Sequence, residues 1–415
     1  MEENQLYIPA EWEGQELGTL YFEKKKSKCK VSDATNYGGV PFFTSGDAIL
    51  EHNEVLTSGE NIFLATGGIA NVKFYNGPVA YSTDTYVIVG KDHISTLFLY
   101  YKILNQLYYI NINYFQGSGL KHLQKKDFRK HLIALPKSTT EQTTIANILS
   151  KVDEAIANTE ALIAKYIRIK NGLMQDLLTK GIDENGNIRS EQTHEFKDSP
   201  LGRIPKEWEC DYLSSKVQVQ GGYAFKSKDF QAEGVQLIRI GNLYNNQLSL
   251  NRDPIFLPKE FLKTLPQFIL NKGDIILSMT GTAGKRDYGF AVQINIEEKV
   301  FLNQRVCKFL FQEEKIDKDF LLYVLHSEFY LTKLYESVTG TKQANLNSDN
   351  ILKIYVPFPI IDEQKRISNY LLKVDDFISK SKTELTKLLS LKAGLMQDLL
   401  SGKVWVNNLI KEKQN

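Results

Sequence analysis

Two stretches of this chain carry a helical hydrophobic rhythm far longer than anything else in it. From Ile145 the apolar positions alternate in steps of four and three: Leu149, Val152, Ile156, then Ile163, Tyr166, Leu173 and Leu177. The second stretch repeats the rhythm with Ile367, Leu371, Val374, Ile378, Leu385, Leu388, Leu395 and Leu399. That spacing predicts two long helices whose apolar seam faces another helix. Both seams skip the same two positions, held by Thr159 and Lys170 in one and by Ser381 and Lys392 in the other. Interruptions in register favour a mutual pair over two unrelated surface helices. "STTE" (138–141) offers a capping box to the first helix and Asp362 a cap to the second. Pro136 and Pro359 stand outside the starts, and Gly181 and Gly402 follow the last turns.

The rhythm belongs to a larger repeat. "GLMQDLL" occurs at 172–178 and at 394–400, an offset of 222. Upstream, Glu141-Gln142 matches Glu363-Gln364 and Val152-Asp153 matches Val374-Asp375 at the same offset. "IPAEWE" (8–13) and "IPKEWE" (204–209) form a further pair at offset 196, so the second unit carries 26 extra residues, all in its variable stretch. At ~1.5 Å per residue, about 38 residues per helix span roughly 57 Å. The first helix leads from one variable region to the other. If the second returns, the pair is antiparallel and the units are related by a pseudo-twofold axis. Leu173 and Leu177 serve the seam. Gly172, Met174, Gln175, Asp176 and Leu178 do not, yet they recur, with Gly394, Met396, Gln397 and Asp398 among the second copies. We therefore read Gly172, Met174, Gln175, Asp176 and their counterparts as a docking surface used twice.

Between the helices the pattern shortens. Region one (about 14–135) and region two (about 210–358) hold short β-type runs broken by Gly, Asn and Ser, such as "TDTYVIVG" (83–90), "GVQLIRIGNL" (234–243) and "GDIILSMTGTAG" (273–284). Each also has a helical patch, "ISTLFLYYKILNQ" (94–106) and "KDFLLYVLHSEFYLTKLYES" (318–337). The fold class is α+β: two mixed domains separated by two long antiparallel coiled-coil helices.

Composition adds little. The 415 residues allow two or three domains, and 42% hydrophobic with 24% charged is ordinary for a soluble globular chain. No apolar run approaches the ~18 residues of a membrane helix, and the N-terminus lacks a signal peptide's core. Three cysteines at no metal-like spacing point to a reducing cytoplasm. A net charge of +2 argues for no partner, so a nucleic-acid surface has to come from local clusters. "KKKSKCK" (24–30) and "KHLQKKDFRKH" (121–131) are such clusters in region one. Arg239, Lys285, Arg286, Arg305 and Lys342 lie beside Gly-, Ser- and Thr-rich turns in region two. Cations, small hydroxyls and backbone amides suit phosphates, and Arg can address base edges.

Enzyme chemistry finds no foothold. "TGTAGK" (280–285) lacks the first glycine of a phosphate loop (Met279) and its final hydroxyl (Arg286). "DPIF" (253–256) lacks the second proline of an amino-methyltransferase motif. Asp287, Glu297 and Lys299 have the shape of a nuclease pattern too short to carry weight. The six histidines show no metal spacing. We identify no catalytic residue and no metal ligand.

Duplicated helices around two unlike polar regions resemble the specificity subunit of a type I restriction–modification enzyme. The resemblance rests on "IPxEWE", on "LPKSTTEQTTIANIL" (135–149) and "VPFPIIDEQKRISNYL" (356–371), and on "KNGLMQDLLTKG" (170–181) and "KAGLMQDLLSGK" (392–403). In region two "GGYAFKSKDF" (221–230), "IRIGNL" (238–243), "LSMTGTAGK" (277–285), "FLNQR" (301–305) and "TGTKQANLN" (339–347) are similar to that family's target-recognition pattern. In region one "YGGVPFFTSGDA" (37–48) and "ATGGIANV" (65–72) resemble another branch of it.

The resemblance implies target-recognition domain 1 over 1–140, a helical spacer over 141–180, a linker over 181–208, target-recognition domain 2 over 209–360, a second spacer over 361–402 and a tail over 403–415. Each recognition domain then reads half of an asymmetric, bipartite double-stranded DNA site, while the helices set the gap and dock two methyltransferase subunits. Restriction subunits join them. S-adenosylmethionine, ATP and Mg2+ sit on those partners, none in this chain, which is not itself an enzyme. The implied DNA contacts are Ser45, Thr66, Gly67, Gly68, Lys73, Ser118 and Lys121 in region one. In region two they are Tyr223, Lys226, Ser227, Arg239, Thr280, Gly281, Thr282, Lys285, Arg305 and Lys342. Gly67, Gly68, Gly281 and Gly284 would admit a close backbone approach. Two rival readings are the recognition part of a self-sufficient restriction-methyltransferase and a protein-binding coiled-coil scaffold.

Overall fold

A computed structural model describes residues 8–311, 315–338 and 342–406. The tail beyond 406, residues 1–7 and residues 339–341 of the "TGTKQANLN" motif lie outside the described residues. The chain divides into two compact units. The first runs through Leu162 and resumes at Ser381, and the second covers Ile163–Lys380.

The long helices run over Thr139–Leu177 and Ile361–Leu399, 39 residues each. Ser138 accepts the Glu141 amide, as the capping box predicts (3.4 Å). Asp362 lies inside the first turn of the second helix rather than ahead of it. There its charge still suits the exposed amides of the helix start. Each helix contributes to both units. In the first unit, Ile145 and Leu149 from the start of one helix share a core with Leu395 and Leu399 from the end of the other. In the second unit, Ile367 and Leu371 share a core with Leu173 and Leu177. Start meets end in both, so the pairing within each unit is antiparallel.

In the first unit Tyr21–Glu23, Thr85–Gly90, Glu60–Ala65 and Val72–Asn76 form an antiparallel sheet in that order. Ile49–His52, Val40–Phe43 and Ala80–Tyr81 form a three-stranded sheet. Trp12–Glu16 pairs antiparallel with Leu132–Pro136, which brings the "EWE" segment to the foot of the first long helix. The helical patch is realised as Thr96–Asn105, with Ser95 as its cap. The core gathers Leu17, Leu20, Ile62, Ile88, Phe98, Phe128 and Leu135 against Ile145 and Leu149.

The second unit has two four-stranded sheets. Val217–Gly221, Val306–Phe311, Ile275–Ser278 and Ala291–Gln293 are antiparallel neighbours. Phe256–Leu257, Val235–Ile238, Val300–Leu302 and Ile269–Leu270 form the other, with one parallel pair, Val235–Ile238 against Val300–Leu302. The second helical patch splits at Ser327 into Lys318–His326 and Glu328–Glu336. Ser327 ends one helix and caps the next by accepting the Tyr330 amide (3.4 Å). No helix among the described residues is long and apolar enough to cross a membrane.

Candidate nucleic-acid interface

In the first unit three loops converge. The Ser45 and Thr66 hydroxyls both donate to the Asp84 carbonyl, Thr66 at 2.6 Å, and Ser45 accepts the Thr66 amide at 3.3 Å. The Gly68 amide donates to the Lys121 carbonyl (2.8 Å), which brings the 117–121 turn to the same place. Lys73 donates to the carbonyls of Thr44 (3.3 Å) and Gly46. Burial holds its ammonium below the usual lysine range, opposed by Asp47. The structure thus brings the predicted loops of this region together, with different parts for their side chains. Ser45, Thr66 and Lys73 spend their polar groups building the platform, whereas Ser118 and Lys121 are exposed on it. Gly68 has φ +83° with open space where a side chain would go, so a left-handed turn requires it. The lysine run adds to this surface. Lys24, Lys25, Lys26, Lys28 and Lys30 are all exposed, and the Thr83 amide donates to the Cys29 carbonyl (2.7 Å) beside Asp84.

In the second unit the candidates gather around the turn at 302–306. The Tyr223 amide donates to the Leu302 carbonyl and its carbonyl accepts the Gln304 amide, both at 3.0 Å. The Asn303 amide donates to the Ile238 carbonyl (3.1 Å), beside Arg239. The Met279 amide donates to the Arg305 carbonyl (2.9 Å), and Thr280–Thr282 then pairs with Gln343–Asn345, next to Lys342. One turn thus joins the segments carrying Tyr223, Arg239, Thr280, Gly281, Thr282, Arg305 and Lys342.

Lys226, Ser227, Thr282, Lys285, Arg305 and Lys342 are exposed, and no ion pair holds any of these four cations among the described residues. Tyr223 is partly exposed while its neighbour Phe225 is buried, the two rings meeting edge to face at 5.0 Å. Three expectations change. The Arg239 guanidinium closes its own loop by donating to the Asp253 carbonyl (2.8 Å). Thr280 is buried and donates to Asn345 (3.2 Å). A Cβ on Gly281 would strike Asp287 and Tyr288, so packing, not approach of a ligand, explains that glycine. Asp287 accepts the Thr282 amide (2.7 Å) and Glu297 pairs with Lys272, which gives both acids of the nuclease-like pattern structural partners.

The repeated motifs are halves of shared contacts. The Trp12 indole donates to Glu141 (3.2 Å) and the Trp208 indole to Glu363 (3.1 Å), joining "EWE" to "EQ" in each unit. Gln142 accepts the Ser95 amide and Gln364 the Asp317 amide, both at 2.9 Å. Met174, Leu177 and Leu178 lie in the core of the second unit, and Leu399 and Leu400 in that of the first, with Met396 packed against them. Met174 is therefore a correction to the docking surface, and Met396 is half-buried. Gly172, Gln175, Gly394 and Gln397 are exposed, whereas Asp176 and Asp398 are half-buried.

A family model, the type I restriction modification DNA specificity domain, matches residues 9–165 and again 205–390. The chain belongs to that family. Similar relatives are specificity subunits. The MjaVIII type I specificity subunit of Methanocaldococcus jannaschii is 29% identical over 97% of this chain and 95% of its own length. The EcoDI specificity subunit of Escherichia coli is 28% identical over 48% of each. The crystal structure of a type I restriction–modification S subunit from M. genitalium matches with TM-score 0.68 at 16% identity, covering 96% of this chain and 98% of that one, a likeness of fold. In this specificity subunit the two matches fall on the two recognition regions and the long helices that follow them.

Proposed function

We propose that each target-recognition domain of this specificity subunit reads one half of an asymmetric, interrupted double-stranded DNA site. In this reading the paired helices set the gap between halves, and the repeated helix ends dock two methyltransferase subunits, to which restriction subunits add. The partners bring S-adenosylmethionine, ATP and Mg2+, and this chain supplies recognition and spacing.

One observation carries the reading. Identical side chains, Gln175 and Gln397, stand exposed at matching helix ends, while the recognition regions of the two units share no such identity. Repeated at the helix ends and different in the recognition regions is what two copies of one partner on two different DNA sequences require. Unlike readers on one support also turn two weak contacts into one strong one through effective concentration.

Methylome sequencing of cells with and without this chain tests the proposal. We expect loss of one asymmetric, interrupted adenine-methylation motif. Loss of an uninterrupted motif, or no change, would defeat it. Arginine at both Gln175 and Gln397 should abolish co-purification of the methyltransferase while leaving DNA binding intact.

A further inference from the structure

One of the two seam interruptions in each long helix is a lysine, Lys170 or Lys392, and each lysine has a partner. Lys170 lies 2.6 Å from one Asp375 carboxylate oxygen and donates to the other at 2.8 Å, which also accepts the Tyr323 hydroxyl at 2.7 Å. In the first unit Lys392 lies 2.6 Å from Asp153, which accepts the Tyr101 hydroxyl at 2.7 Å. Lysine, aspartate and tyrosine each recur at an offset of 222. Both tyrosines are buried, and the lysine side chains are only 21% and 22% exposed.

Each group ties three segments together. Tyr101 belongs to the helix Thr96–Asn105 of its recognition domain, Asp153 to the long helix that follows that domain, and Lys392 to the returning helix. In the second unit Tyr323, Asp375 and Lys170 play the same parts. The Trp–Glu and Gln–amide contacts fasten a recognition domain to its own long helix alone. The aspartate is where the other helix joins the same hydrogen-bonded group.

This rests on the reading of the chain as a two-part DNA reader. We propose that the Lys170–Asp375–Tyr323 and Lys392–Asp153–Tyr101 groups are positioning residues that fix the number of base pairs allowed between the two half-sites. One base pair changes the separation by about 3.4 Å and turns the next half-site by about 35°, since a turn of ~34–36 Å holds 10–10.5 base pairs. Apolar packing of a reader against the two helices is non-directional and resists small rotations weakly. Joining the reader and both helices through one carboxylate adds a directional restraint on that rotation. The charges also oppose slippage. A one-heptad shift puts Lys170 against Lys382 or Ser368, and Lys392 against Glu160 or Ala146, so neither direction keeps both pairs. Methionine at these positions would continue the apolar seam, so the lysines are not explained by packing alone.

The test is selection of bound duplexes from a random library with the full-length chain, followed by sequencing. Wild type should enrich two conserved blocks at a single separation. With Lys170→Met and Lys392→Met together, the same blocks should appear, but adjacent separations should gain about tenfold, the loss of one charge-assisted bond's selectivity. Tyr101→Phe with Tyr323→Phe should move the distribution the same way and serves if the methionine pair fails to fold. Arginine at both lysines should restore a single separation. A folded methionine pair that keeps wild-type stringency overturns the lock while leaving the two-part reading intact. A wild type that enriches a single block overturns the two-part reading, and the lock with it.

Discussion

The Lys102 ammonium donates to the carbonyl of Leu400 across 2.9 Å, although 298 residues separate them. The lysine is buried, with its charge 5.4 Å from the Trp12 ring, and it satisfies a carbonyl at the end of the second long helix. The contact sews the helix end into the first unit's core.

Burial pulls the Lys102 pKa down from 10.5 to about 8. The unfolded chain keeps that proton up to about 10.5 and the folded chain releases it near 8, so stability rises with pH across this window. The rise should be about 3 kcal/mol. Below about pH 8 the full cost of the buried charge remains. Thermal unfolding of wild type and Lys102→Met between pH 7 and 10.5 should show the variant lacking this rise. Parallel curves would refute the assignment.

His326 gives an acid counterpart in the second unit. Burial lowers its pKa from 6.5 to about 4, and its Nε2 lies 2.8 Å from the Ala291 carbonyl. The folded state holds it neutral. Its contribution is present above about pH 6.5 and is lost as pH falls toward 4, because the unfolded chain takes up the proton first. Acid unfolding of His326→Gln should therefore be less steep than wild type over this interval, by about 3 kcal/mol in total.

Glu363 is buried and accepts bonds from the Arg189 guanidinium, the Trp208 indole and the Ile182 amide (3.0 Å). Removing one partner of a buried pair leaves an uncompensated charge, so Arg189→Met should cost about 3–5 kcal/mol. Adding Glu363→Gln should recover part of that loss. Denaturant unfolding of the single and double variants checks both statements, and an additive loss would contradict the coupling.

Much of this architecture was legible because repeats constrain sequence twice. The long helices and the helical patches followed from periodicity and offset, and the antiparallel pairing of the long helices from the chain's path between the two variable regions. The full reach of the repeat was missed. Beyond the matched Gln142 and Asp153, Ser95 and Tyr101 correspond to Asp317 and Tyr323 at the same 222 offset, so the repeat extends back into the recognition domains. That signal was present, but Ser against Asp hides a shared capping role behind unlike letters. Other features were not legible in principle. A helical wheel leaves Met174 off the pairing seam, yet the strand segments of the second unit supply a second wall that buries it. Arg239 looks like a base reader in one dimension. Only the fold brings the Asp253 carbonyl to its guanidinium.

Met174 and Gln175 separate packing from docking at neighbouring positions. Met174→Ala should cost about 2–5 kcal/mol, the range for emptying a core site. Gln175→Ala, on the exposed side, should stay within about 0.5 kcal/mol. Denaturant unfolding measures both. A large loss at Gln175 would make the repeated surface a matter of stability instead of partner docking.

Lys121 and Lys285 offer the direct test of the interface, one in each unit. Both are exposed, and neither takes part in an ion pair among the described residues. Phosphate contacts release counterions, so each should add roughly one to the slope of log affinity against log salt. Alanine at either position should weaken DNA binding about equally across sequences and reduce that slope by about 1. Arg305 differs because its turn joins the candidate segments. If it reads a base edge, Arg305→Ala should relax the preference at one position by about 1–3 kcal/mol and leave the others unchanged. Fluorescence anisotropy at several salt concentrations, on the selected duplex and its single-base variants, distinguishes the two behaviours. A slope unchanged by both lysine substitutions would move the interface off these loops.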